Sequence, residues 1–178
     1  ILLKLGRGQE ANLEIERLFA WDKRPATAMR VGNLLLDYRQ SAQALGVLEK
    51  ALDSLRDWNY DELLLSLAKA RAKLGKIDDL ARITDQLLAS SNAEWRLQSL
   101  QSWLSAEGFS DLAVRVIQTR LTNAPTRLEL HTALAAALAD GGHTEQVWPA
   151  YAAAAQALPI DQQGALRVAL AELLMDHG

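Results

Sequence analysis

The sequence contains no cysteine, so disulfide staples, thiolate metal sites and thiol nucleophiles are excluded, while cytosol and periplasm both stay open as compartments. No apolar run approaches the roughly 20 residues needed to span a bilayer. The Ile1-Leu2-Leu3 start is cut short by Lys4 and Gly6, so neither a signal peptide nor a membrane anchor is expected. A formal net charge of -3 supplies no overall attraction to nucleic acid or anionic lipid. None of the three histidines, His131, His143 and His177, has a second ligand at the four-residue step of a zinc-binding helix. No serine lies in a nucleophile-elbow sequence, and Gly6-Arg7-Gly8 is too short for a phosphate loop. Carboxylates gather at Asp57, Asp61 and Glu62 and at Asp78 and Asp79, but at expected helix starts, where they complement the helix dipole rather than form acid–base pairs. The expectation is a non-enzyme with no metal and no cofactor.

What is present is helical periodicity. Of 178 residues, 49% are hydrophobic and 23% charged, enough to bury a sizeable core in an ordinary globular chain. Apolar residues recur at helical spacing, as in Leu34, Leu35 and Tyr38 and in Leu45, Leu48 and Leu52, and alternating strand-like runs are missing. Breaks fall at Gly6 to Gly8, Arg39 to Ser41, Gly75 to Asp78, Gly108 to Asp111 and Gly141 to Thr144, with room for a short helix on either side of each. Independent markers share one period: Gly75 to Gly108 and Ala11 to Ala44 are 33 residues, and Gly108 to Gly142 and Pro125 to Pro159 are 34. A fixed period of this length marks a repeat architecture.

These markers resemble the tetratricopeptide repeat (TPR) family, whose unit is a pair of antiparallel helices. The best-matching unit, 94–127, carries Leu97, Leu100 and Leu104, then Gly108, Ala113, Ile117 and Pro125. The unit 128–161 supplies Leu134, Ala135, Leu138, Gly142, Tyr151, Ala154 and Pro159 at matching places. Unit 25–58 offers Ala28, Val31, Gly32, Leu35, Ala44, Leu48 and Ala51, with Arg39 where the turn glycine is usual. Unit 59–93 departs most, with Arg71 and Thr84 at bulky apolar places and Leu80 at the helix crossing. Residues 1–24 and 162–178 resemble partial units without caps, as expected of a segment of a longer array. The resemblance implies an all-α chain, a right-handed α-solenoid of tandem antiparallel helix pairs spanning 1–178 as one segment. Small residues such as Gly32, Ala68, Ala113 and Ala135 are expected where helices cross closely, with Leu48, Ile117 and Tyr151 filling the remaining volume.

In that family ligands lie along a concave face made by the first helix of each pair. Carried onto this chain, the lining includes Met29, Asn33, Leu36 and Asp37, then Glu62, Leu65, Lys69, Ala72 and Lys73. It continues with Trp95, Gln98, Ser102, Ser105 and Ala106, and with Glu129, Thr132, Ala136, Ala139 and Asp140. The candidate partner-binding residues are Met29, Asn33, Lys69, Lys73, Trp95, Gln98 and Ser102. A carboxylate clamp of the family's kind is not expected, since Met29 stands where lysine would be needed. Lys69, Lys73 and Lys76 share one helix face by spacing, with Arg71 near; such a face suits an acidic segment or an anionic polymer, and is more commonly just solvated. Trp95 fits an interface anchor, or a filler between stacked pairs like Trp21 and Trp58, which precede it at 37-residue steps. Trp103 and Trp148 are expected to pack.

The expected function is a scaffold whose concave face binds another protein or peptide. The alternative is a spacer in a larger bacterial secretion protein, resembling the periplasmic repeat scaffolds of exopolysaccharide export that recruit polymer-modifying enzymes.

Overall fold

The computed structural model describes residues 1–22, 24–52, 60–90 and 93–177. Asp57 and Trp58 lie outside them, as do the side chains of Asp61 and His177. Among the described residues there are ten α-helices and no strand. They are α1 (Gly8–Trp21), α2 (Pro25–Asp37), α3 (Ser41–Leu52), α4 (Tyr60–Lys73) and α5 (Ile77–Ser90), then α6 (Glu94–Ala106), α7 (Ser110–Asn123), α8 (Leu128–Asp140), α9 (Thr144–Ala157) and α10 (Gln163–His177). First helices begin at 25, 60, 94 and 128 and their second helices at 41, 77, 110 and 144, so the fold is a TPR-like succession of helix pairs. Two compact units divide the chain, Ile1–Ser90 and Ser91–Gly178.

One device ends the helix before each intra-pair turn. After α2, the Arg39 amide donates to the Leu36 carbonyl at 3.0 Å and the Gln40 amide to the Leu35 carbonyl at 2.8 Å. The same two bonds recur at Gly75 and Lys76, at Gly108 and Phe109, and at Gly142 and His143. This is the Schellman arrangement, which satisfies the last carbonyls of a helix by turning one residue into the left-handed region. Gly75, Gly108 and Gly142 take it at φ of 71°, 79° and 78°, and Arg39 at 59°. A side chain there costs about 1 kcal/mol, yet the turn keeps its geometry because packing on both sides dictates it.

In the first unit, Val31, Leu35 and Ala44 form a buried cluster against which Ile15, Leu18, Phe19 and Val47 pack. Gly32 is buried under Leu48: a methyl group added to it would lie 2.5 Å from Leu48 Cδ2, so this helix crossing needs glycine. In the second unit Tyr151 packs against two clusters, one of Leu138, Val147 and Leu170 and one of Ala154, Leu158 and Leu166. Each fully buried leucine contributes about 2 kcal/mol by leaving water. Ala68 and Ala113 are fully buried, as expected at crossings, while Ala135 is half-buried.

The pair α4 and α5, whose sequence departs most from the repeat pattern, accommodates its unusual residues individually. Thr84 is fully buried, and its hydroxyl donates to the Leu80 carbonyl one turn back, at 3.0 Å, so the polar atom is not left unsatisfied. Arg71 is largely covered and reaches Glu49 of α3 at 3.3 Å and Asp79 of α5 at 3.5 Å. Lys76 departs from the expectation of one basic helix face: the left-handed Gly75 ends α4, and Lys76 lies in the turn beyond it.

Candidate functional site

The first helices carry the candidate residues, most but not all of them exposed. In the first unit α2 contacts α4. Asn33 on α2 is exposed, Lys69 on α4 is half-buried and Lys73 is exposed one turn further on. Met29 is only 8% exposed; its thioether side chain belongs to the core and offers a partner little surface. Asn33, one turn further along the same side of α2, is exposed, so helical phase does not separate the two.

In the second unit Trp95, Gln98 and Ser102 follow the spacing that stacks residues on one side of a helix, and all three are exposed on α6. Trp95 is 57% exposed, and the Arg96 guanidinium lies over its ring at 5.0 Å from the centroid, a cation–π contact that orients the indole without burying it. The other tryptophans divide differently from expectation. Trp103 is half-buried against Phe109, with centroids 6.0 Å apart. Trp148 meets Tyr151 edge-on at 6.0 Å but is as exposed as Trp95, and Trp21 is more exposed still.

Below the stripe, α6 is pinned by a charged cluster. Arg120, at the end of α7 with a side chain only 4% exposed, donates to Glu94 at 2.6 Å and also bonds Gln101. Arg127, ahead of α8, donates to the same Glu94 oxygen at 2.7 Å. The hydrogen bond from Arg120, aided by the charges of both arginines, holds the Glu94 carboxyl below its usual range against the opposing effect of burial. One carboxylate thus ties the start of α6 to the end of α7 and the approach to α8, directly beside Trp95. In the first unit Asp22 has a similar place ahead of α2. It accepts from the Arg24 guanidinium at 2.7 Å, the Thr27 hydroxyl at 2.7 Å and the Arg24 amide at 3.0 Å, and these bonds lower its pKa strongly.

Two cavities accompany the helix pairs. One, of about 470 Å³, lies between α1 and α3 over the buried Ala28 and Leu35. The other, of about 350 Å³, lies between the consecutive first helices α8 and α10, with Tyr151 of α9 also lining it. It includes Thr132 and Ala136, two of the residues placed on the binding face by sequence, and adds His131, Leu173, Glu172 and Asp176. Periodicity alone does not reveal it, because it is a volume between helices far apart in sequence. Among the described residues no group of three or more histidine or acidic side chains is placed to hold a metal ion, and no helix is long and apolar enough to cross a membrane.

No family model matches the chain, and no curated protein matches it. Solved structures do. MamA 41-end from Desulfovibrio magneticus RS-1 is 16% identical over 86% of this chain and 95% of that one, with a TM-score of 0.50. MamA MSR-1 is 18% identical over 87% of each chain, with a TM-score of 0.47. At this identity the first likeness shows the all-helical repeat fold alone.

Proposed function

We propose that this chain is a non-catalytic scaffold that binds another protein or peptide through the faces that the first helices present within each unit. The observation that carries this reading is the stripe Trp95, Gln98 and Ser102 on α6. It sets a large aromatic surface in water, braced by Arg96 and by the Glu94 cluster, beside small polar side chains. Tryptophan held rigid in this way is the residue type that most often dominates an interface, and exposing it without a partner is unfavourable. Asn33, Lys69 and Lys73 supply polar and basic groups on the corresponding helices of the first unit. No observation here favours the exopolysaccharide-export alternative.

The test is capture from cell extract by the intact chain and by Trp95→Ala/Gln98→Ala, with circular dichroism showing equal helicity. The reading expects a specific partner to be lost with the double variant. Unchanged capture would overturn it and move binding to the second-helix surface.

A further inference from the structure

We propose that the cavity between α8 and α10 is a specificity pocket that accepts an apolar side chain of a partner peptide with a lysine or arginine beside it. This rests on the reading of the first-helix face as the binding surface and names the chemistry recognised there.

The cavity exists because α8 presents small residues where it faces α10. Ala133, Ala135 and Ala136 leave a volume of about 350 Å³ that Tyr151 and Leu173 border but do not fill. That volume is within the range of small-ligand sites, roughly 300–1,000 Å³, and most of its wall is apolar. Among the described residues lining it there is no lysine or arginine, and its only acidic groups are Glu172 and Asp176. These two stand one turn apart on α10, both exposed, and neither has an ion-pair or hydrogen-bond partner among the described residues. Like charges at this spacing destabilise a helix. A cationic group at the rim relieves that repulsion as it binds, whereas an acidic peptide adds to it.

His131 also lines the cavity but is committed elsewhere. Its Nε2 lies 2.7 Å from the Pro125 carbonyl, and since a carbonyl only accepts, Nε2 carries the proton and the ring is fixed in the wall. The pocket therefore offers an apolar hole next to an unneutralised pair of carboxylates, the complement of an aliphatic side chain flanked by a base.

A selection from a library of random short peptides displayed on phage, with the intact 178-residue chain as bait, tests this. The expected result is enrichment of peptides with lysine or arginine next to an aliphatic residue. Their binding should weaken as salt rises and fall about tenfold with Glu172→Gln/Asp176→Asn. Ala136→Phe, which fills the cavity, should abolish binding at unchanged helicity, and because the acidic pair is exposed the charge variant keeps the test valid if Ala136→Phe does not fold. Enrichment of peptides without basic residues, binding indifferent to Glu172→Gln/Asp176→Asn, or no enrichment at all overturns the pocket. In each of those cases the first-helix reading is judged separately by the Trp95→Ala/Gln98→Ala capture.

Discussion

Arg39 is the residue whose conformation least suits its chemistry. It occupies the left-handed position that glycine fills after α4, α6 and α8, so Arg39→Gly removes a steric cost without disturbing the two bonds of the turn. The net gain should be up to about 0.5 kcal/mol once glycine's looser unfolded state is subtracted, read as a slightly raised midpoint in denaturant melts. The opposite substitution belongs at the crossings. Ala113 is fully buried, and Ala113→Leu should overpack the α6 and α7 pair by about 1–3 kcal/mol. The left-handed turns after α4, α6 and α8 were legible from glycine; the one at Arg39 was legible only by register with the others. Met29 shows the limit of transferring positions: the family pattern counts residues, whereas burial depends on what packs over each level of a helix, and Asn33 on the same side of α2 is exposed.

At the scale of the element, the joints between pairs depend on a few charges. Glu94 has its pKa lowered from 4.5 in the folded protein. Its contribution is therefore full above that pH and lost as pH falls through the lower folded value. Melts from neutral pH to pH 3 should show α6 and α7 losing stability in acid, and Glu94→Ala should remove that part of the pH dependence. At neutral pH the same variant should cost about 1–3 kcal/mol, because it leaves the buried Arg120 guanidinium short of a partner although Gln101 remains bonded to it. Helix boundaries could be anticipated closely because glycine, proline and apolar periodicity act locally. The Glu94, Arg120 and Arg127 cluster could not, since it joins residues 26 and 33 positions apart through a geometry that no short pattern encodes. The Arg71 bridge to Glu49 and Asp79 was hidden likewise, and looked only like a defect in the repeat.

For the whole molecule, the repeat turns one-dimensional sequence into a surface, so function depends on which stripe of each helix faces out. Sequence placed Asn33, Lys69, Lys73, Trp95, Gln98 and Ser102 on first helices, and the structure finds them there with Lys69 half-buried and the rest exposed. It did not disclose the cavity beside Ala136, because alanine runs read equally well as tight packing. The most direct test of the central claim is site-specific photo-crosslinking in cell extract. A photoreactive phenylalanine would replace Ser102 or Ser105, exposed on α6, in one set of variants, and Gln118 or Thr122, exposed on α7, in the other. The account predicts the same discrete adduct from both α6 positions and none from α7. Adducts from the α7 positions alone, or equally from both helices, would contradict binding through the faces that the first helices present.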